Sequence, residues 1–385
     1  MYYKIINRKK RIATRVADLL GYAVWAPFNL FRRRRLEDRE IREILVIRTA
    51  YIGDVVMTMP ILKPLRERFP GARITFLTSA AAKDLLRKNP YVDFVLAYDA
   101  FWFYRGAKGF GSFLKELRKK KYDLVIEARA DIRDIALLAY AARSRYRVSY
   151  NVAGGGFLLT HTVPFKAIKH KVEYHLDLAR YLGAEIDAVD WGLLPAKEEY
   201  ARADSLLAKG QGPIRVGIHP GGRKLLKSWA PERFAEVADR LIEEGAAVFF
   251  SGSSEEKGLI EPIISRMRHK AENLAGKADL RTGAAIISRL DLFITNDSAP
   301  LHLASAMGTP TVAIFGPSKS NETGPYGNIH RVVEKDYKCR ETCDEDVCLY
   351  RNYKECMDSI TVDDVMKAAT EVLEIARRAG YGVQA

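Results

Sequence analysis

The feature that most narrows the fold is an alternation of short apolar runs with stretches of helical spacing. It is clearest over residues 292–318, LFITNDSAPLHLASAMGTPTVAIFGPS. Leu292–Thr295 has the composition of a buried strand, and Thr311–Phe315 that of a second one. Between them stand Asn296, Asp297 and Ser298, whose side-chain oxygens cap helices. Pro300 suits a first helical turn, where its missing N–H leaves nothing unpaired. Leu301, Leu303, Ala304 and Met307 make an apolar face, and Gly308 can end the helix in the left-handed conformation. Gly316-Pro317-Ser318 then turns the chain. In open parallel sheets, ligands bind at the carboxyl ends of strands, beside helix N-termini whose free N–H groups attract anions. Two such turns side by side make a phosphate pocket; a polar loop that only caps a helix has the same spacing.

The alternation runs through the rest of the chain. Ile44–Ile47 is a strand run, followed by the turn RTAYIGD (48–54) and an expected helix over Val55–Phe69. Strands are expected at Arg73–Leu77, Phe94–Tyr98, Tyr122–Glu127 and Tyr146–Tyr150, with helices at Ala80–Arg87, Phe113–Lys120, Asp131–Ala142 and Lys171–Leu182. A second series starts at Ile214–His219 and continues through helix Pro231–Glu243, strand Ala246–Phe250, helix Leu259–Met267, strand Asn273–Ala275 and helix Thr282–Ser288. Residues 361–378 form a capped amphipathic helix. Strands alternating with helices mean parallel sheets covered on both faces, hence an α/β class. At 385 residues the chain exceeds what one core fills, so two domains are expected. The turn-rich AKGQGP (208–213) reads as the hinge, although Pro195 and the charged segment after it also look like a boundary. No G-x-G-x-x-G fingerprint follows the first strand, and Gly154-Gly155-Gly156 comes after a late strand, as a loop and not a phosphate cradle.

Charge is unevenly spread. The net charge is +14, and residues 1–40 hold 11 basic and 4 acidic residues. That arm carries Arg8-Lys9-Lys10-Arg11, an apolar stretch Leu19–Phe31 and then Arg32-Arg33-Arg34-Arg35. A spanning helix needs roughly 20 apolar residues, so this stretch does not span. It lacks a small-residue cleavage site, which argues against a secretory signal. Trp25, Phe28, Leu30 and Phe31 between basic clusters suit an element lying in a membrane interface; a basic helix packed on the protein itself is the alternative. An anionic membrane surface met through residues 1–35 is the expected partner, and nucleic acid is not expected.

Several residues could carry chemistry. Asp54, at the turn after the first strand, can take a proton from an attacking hydroxyl, or can simply cap the next helix. Arg223, Lys224 and Lys227 could converge on an anion beside the Pro220-Gly221-Gly222 turn, or form a solvated basic loop. Glu255 and Glu256 follow the strand 246–250, where a carboxylate can accept from ribose hydroxyls. His302 and His219 can meet phosphate or pack. Cys339, Cys343, Cys348 and Cys356 have no C-x₂-C pair, so zinc, a disulfide and reduced thiols all remain open.

With these residues in view, the chain resembles the lipopolysaccharide heptosyltransferases of glycosyltransferase family 9. The resemblance rests on ILVIRTAYIGDVVMTMPILKPLRERFPGARI (44–74), GIHPGGRKLLKSWAPERF (217–234), FFSGSSEE (249–256) and TNDSAPLHLASAMGTPTVAIFGPS (295–318), and KCRETCDEDVC…EC (338–356) looks like the family's tail. It implies a GT-B fold, with two Rossmann-like domains facing across a cleft: an acceptor-binding domain at 41–207, a nucleotide-sugar domain at 208–360 and a last helix at 361–385 returning to the first domain; the basic arm at 1–40 departs from the short start of typical members and has no support from the family. Asp54 falls on the family's proposed base, with Pro60 closing its motif, and Thr49 and Gly53 lie on the acceptor side. Lys227 falls on the donor lysine. Gly221, Gly222, Glu255, Glu256, Asn296, Asp297, Ser298, Ala299, Leu301, His302, Gly316 and Pro317 are carried over as donor-binding. Ala299 stands where many members have Gly. The implied reaction is inverting transfer of a heptose or related sugar from ADP-heptose to a lipid-linked glycan, without metal or cofactor, by a cytoplasmic enzyme peripheral to the inner face of the cytoplasmic membrane. A nucleotide-sugar 2-epimerase of GT-B fold and a catalytically silent nucleotide-binding protein are the other readings.

Overall fold

The computed structural model describes residues 8–30, 41–104, 109–210, 212–343 and 345–380, with backbone alone for 26–30. The expected interfacial residues Phe28, Leu30 and Phe31, and the Arg32–Arg35 run, lie outside the described side chains. The chain divides into two compact units between Gly192 and Leu193.

The first unit holds one parallel sheet of strands β1 (Glu43–Ile47), β2 (Arg73–Thr78), β3 (Phe94–Ala97), β4 (Leu124–Glu127), β5 (Tyr146–Tyr150) and β6 (His161–Val163), in the order β3-β2-β1-β4-β5-β6. The second holds β7 (Ile214–His219), β8 (Ala246–Phe250), β9 (Glu272–Asn273), β10 (Leu292–Asn296), β11 (Thr311–Phe315) and β12 (His330–Glu334), in the order β12-β11-β10-β7-β8-β9. Read from its far edge, the second order is the same 3-2-1-4-5-6 arrangement as the first. Central strands β1, β4, β8, β10 and β11 are buried almost throughout, which is why their sequences are continuous apolar runs and not alternating ones. In this arrangement the crossovers reverse direction between the first and fourth strands, and a crevice opens at their carboxyl ends. In the first unit that is the end of β1 and β4; in the second, the end of β7 and β10.

Helix α1 (Arg8–Leu30) lies against the first unit by one face. Asp18, almost fully buried, accepts the Gly155 N–H at 2.7 Å, and Tyr22 and Trp25 pack on Phe157. An added Cβ at Gly21 would stand 2.4 Å from the Phe157 ring, so this approach requires glycine. The Gly154-Gly155-Gly156 turn is therefore the seat of α1. Trp25 is half-buried against the body, as the packed-helix alternative expects. The opposite face leaves Ile12, Val16, Leu19, Leu20 and Val24 exposed. Among the described residues no helix is long and apolar enough to cross a membrane.

The expected helix 55–69 is split into α2 (Ile52–Thr58), a 3-10 turn Met59–Ile61 and α3 (Leu62–Arg68). Pro60 has no N–H to give to an α-helical bond, so the chain tightens there. Residues 80–86 form a 3-10 segment, and the helix expected at 113–120 is α4 (Phe110–Leu117). The segment after β4 is a short turn, Ile132–Asp134, followed by a π-helical one, Ile135–Ala139. Helix α5 (Lys171–Tyr181) completes the first unit.

Two boundary expectations are corrected. Helix α6 (Lys197–Leu207) was assigned to the first domain, yet it packs in the second unit on α8 (Leu280–Ile287), beyond α7 (Pro231–Glu243). The reason is a buried ion pair: Arg281, 1% exposed, donates from Nε to Glu199 Oε1 at 2.8 Å and from Nη2 to the Leu194 carbonyl. After β10 comes α9 (Ala299–Met307). The last helix, α10 (Val362–Arg378), was expected to return to the first domain. Its apolar face, with Val365, Ala369 and Val372 fully or almost fully buried, packs instead on β10, β11, β12 and α7. That core needs α10 to close it.

Removing one partner of a buried ion pair strands the other charge. Glu199→Ala is therefore expected to cost about 3–5 kcal/mol in urea unfolding followed by tryptophan fluorescence in a chain that keeps Trp229 as its single tryptophan; a loss under about 1 kcal/mol would show that α6 is not part of the second core.

Candidate active site

In the first unit, β1 delivers the turn RTAYIGD to the crevice. Asp54 is the third residue of α2, and its Oδ2 accepts the Tyr51 N–H at 3.2 Å. Its Oδ1 meets the Arg48 guanidinium at 2.6 Å and Lys171 Nζ at 3.2 Å, with its side chain 16% exposed. Burial alone would raise the carboxyl pKa. Arg48, Lys171 and Arg129, with the Tyr51 N–H, outweigh burial and hold it well below the usual carboxylate range. Asp54 is thus a fixed anion that helps to cap its helix and is also held by two cations. Thr49 and Gly53, expected on the acceptor side, are both buried. The Thr49 hydroxyl is committed to Asp134, at 3.0 and 3.2 Å from its two carboxyl oxygens.

Beside them, the end of β4 carries a group the sequence did not single out. Glu127 accepts N–H groups of Arg129 and Ala130 and the Ser149 hydroxyl, yet burial and the nearby Asp134 push its pKa up to about 8. Asp134, which also accepts from Trp102 Nε1 at 3.0 Å, is raised by burial and Asp131 to about 6. Half-exposed Lys171 and Arg129 and exposed Arg133 give this region a cationic edge.

In the second unit, Lys227 Nζ lies 2.7 Å from Asp297 at the end of β10 and 2.8 Å from Glu345. Burial disfavours the lysine's charge, but Asp297 and Glu345 more than restore it, and its pKa is raised. Asp297 is correspondingly lowered, with Lys227 outweighing burial. Lys224 joins the group through Glu345 at 3.4 Å and also pairs with Asp346 at 2.9 Å, while Arg223 stays exposed. Glu345 and Asp346 carry no signal in the sequence that would bring them to the lysines.

The remaining carried-over residues divide by where their side chains go. Fully buried Asn296 ties β10 to the neighbouring turn, accepting the Trp229 N–H at 3.2 Å and donating to the Pro220 carbonyl at 2.8 Å. Leu301 is buried with Ala313 and Phe315, so only its backbone is left to face a ligand. Ser298 precedes α9 and meets the Thr295 hydroxyl at 3.2 Å, Ala299 opens the helix, and His302 is buried in its first turn. Of the two glutamates, Glu256 turns inward: an added Cβ at Gly221 would lie 1.9 Å from its Oε1, and His219 Nε2 is 3.7 Å from the same oxygen. Glu255 is exposed. Gly222 has open space around it, and Gly316 and Pro317 are buried after β11. No disulfide joins any of the four cysteines in the structure; burial and the neighbouring cysteines push Cys356 up to about 11. Among the described residues no group of His, Cys, Asp or Glu is arranged to hold a metal ion.

The raised Glu127 makes a pH prediction. The folded state keeps its proton up to about pH 8, while the ordinary value is 4.5, so stability falls as pH rises through that window. Asp54 acts in the other sense, and its contribution is lost only as pH falls through its depressed folded pKa. Glu127→Gln should therefore gain urea resistance over wild type steadily from about pH 5 to about pH 8. A difference that stays flat with pH would refute the assignment.

The sequence model of Glycosyltransferase family 9 (heptosyltransferase) matches residues 110–354. Lipopolysaccharide heptosyltransferase 3 of Escherichia coli K12 is 29% identical over 335 residues, which cover 84% of this chain and 95% of that protein. Lipopolysaccharide core heptosyltransferase OpsX of Haemophilus influenzae is 24% identical over 298 residues, 76% of this chain and 84% of that protein. Among solved structures, a family 9 glycosyl transferase from Veillonella parvula matches with a TM-score of 0.72 at 24% identity, covering 88% of this chain and 99% of that one. The E. coli ADP-heptose lps heptosyltransferase II matches with a TM-score of 0.70 at 23% identity, over 87% and 99%. At such identities the structures speak for the fold, a pair of Rossmann-like α/β units of the GT-B class. The family match spans well over half of the sequence, and the chain accordingly belongs to glycosyltransferase family 9, as a glycosyltransferase of GT-B fold.

Proposed function

We propose that this protein is an inverting transferase that moves a heptose from ADP-heptose to a lipopolysaccharide core or similar lipid-linked glycan. The names of its relatives support the sugar and the acceptor class. The observation that carries the reading is Lys227, brought across 70 residues of sequence to Asp297 at the switch point of the second sheet, next to the first turn of α9. A lysine held charged beside free helix N–H groups is a cradle for a leaving diphosphate. Glu345, now on that lysine, occupies the place of an anionic ligand and gives way when the donor binds. Glu256, next to the Gly221 turn, is the carboxylate for the donor's ribose.

Asp54 is the base. The acceptor hydroxyl oxygen forms a bond to the anomeric carbon, the bond from that carbon to the diphosphate breaks, ADP leaves with the electron pair, and the hydroxyl proton passes to Asp54. A carboxylate held this acidic is a weak base toward a free hydroxyl. It takes the proton late, once bonding to carbon has acidified the oxygen. Arg48 and Lys171 keep it ionised and aimed, and the cationic edge of Lys171, Arg129 and Arg133 favours an acceptor bearing carboxylate or phosphate groups. A lipid-linked acceptor puts the working enzyme at the inner face of the cytoplasmic membrane, where residues 1–35 meet an anionic surface.

Asp54→Ala is expected to lower acceptor-dependent ADP release by at least about 10²-fold, while the calorimetric affinity for ADP-heptose stays near wild type. Full turnover in that variant would remove Asp54 as base. Glu345→Gln should lower the KM for ADP-heptose several-fold, since a competing carboxylate is gone; a higher KM would mean that Glu345 holds the lysine for the donor and does not compete with it.

A further inference from the structure

A basin of about 710 Å³ lies on the first unit, and none of its lining residues belongs to the site described above. Its volume falls in the usual range for small-molecule sites, about 300–1,000 Å³. One wall is apolar, from Leu114 of the α4 helix to Leu137 and Tyr140 of the π-helical turn and its end. The lining also carries Arg118, Arg143, Arg145 and Arg147, with the Arg147 guanidinium 5.5 Å from the centre of the Tyr140 ring, and no acidic side chain lines the basin. Backbone carbonyls orient two of these guanidinium groups. Arg147 donates to the Leu158 and Ser144 carbonyls, each at 2.7 Å, and Arg118 to the Ala141 carbonyl at 3.3 Å. Ser144, also in the lining, is 5% exposed, and its buried hydroxyl has no hydrogen-bond partner among the described residues. A buried polar group left so is costly unless something else meets it. Tyr140 also meets Trp25 of α1 at 6.1 Å between ring centres, so the basin adjoins the helix whose outer face exposes Val16, Leu19, Leu20 and Val24.

We propose that this basin is a headgroup site for an anionic phospholipid. Guanidinium groups match phosphate oxygens in pairs, and the apolar side chains take the glycerol and the start of the acyl chains. A soluble phosphate ester shares the charged part of this chemistry but leaves the apolar wall unmet. The site goes beyond general attraction of a basic arm to a membrane, and it is separate from sugar transfer.

The test titrates the full-length protein by calorimetry with dihexanoyl-phosphatidylglycerol below its micelle concentration. Dihexanoyl-phosphatidylcholine and glycerol 3-phosphate are run in parallel, with folding checked by thermal melts. Saturable binding of the first, at least about tenfold tighter than of the other two, is expected. The double reversal Arg118→Glu/Arg143→Glu, at two exposed positions, should weaken it at least about tenfold. Ala136→Trp, which fills the basin and keeps its charge, should do the same, while transfer to a water-soluble acceptor is unchanged in the double reversal. Equal affinity for glycerol 3-phosphate would overturn the lipid assignment. Binding unmoved by both variants would place the lipid outside the basin, loss in the double reversal alone would reduce it to surface charge, and lost transfer in the double reversal would overturn a site separate from catalysis.

Discussion

The reversal of crossover direction in each sheet is the constraint on which everything else depends. Parallel strands must be joined by right-handed crossovers, and a 3-2-1-4-5-6 order can be wound only by sending successive connections to opposite sides. The two strands at the point of reversal then share a crevice that no helix fills. In the first unit the ends of β1 and β4 bring Arg48, Asp54 and Glu127 to it, and in the second the ends of β7 and β10 bring the Pro220 turn and Asp297. The fold leaves that position open in each unit.

The charges at the two crevices are handled differently. Asp54 and Asp297 are each paired with cations and lie below their ordinary pKa, so both are fixed anions. Glu127 and Asp134 lack that compensation and are pushed the other way, so together they hold a proton near neutral pH. Lys227 keeps its charge only because carboxylates surround it. Each of these groups would cost stability alone, and each is tolerated because a neighbour or a proton offsets its burial.

Most of the architecture was legible as pattern. The buried strands β7, β8, β10 and β11 announce themselves as apolar runs ending in Gly, Asn, Asp or Ser. The expected errors fall where local pattern and packing disagree. Pro60 breaks a helix that apolar spacing would continue, and Arg281 draws α6 into the second unit through a pair with Glu199 that no local signal marks. Trp25 and the three-glycine turn Gly154–Gly156 have the look of an interfacial anchor and a loose loop. The structure joins them as the two halves of one packing contact.

The sequence by itself determined the class of fold and the turns that carry chemistry, because strand and helix periods and turn residues act over a few positions. It placed Asp54 and Asp297 at strand ends and Lys227 beside the Pro220-Gly221-Gly222 turn. Only the tertiary structure decided which charges meet: Lys171 with Asp54, Glu345 with Lys227, Glu256 and not Glu255 against Gly221, and four arginines around an apolar basin. Such pairings join residues up to more than a hundred positions apart. They are set by strand order and crossover direction, which no local stretch of the chain encodes.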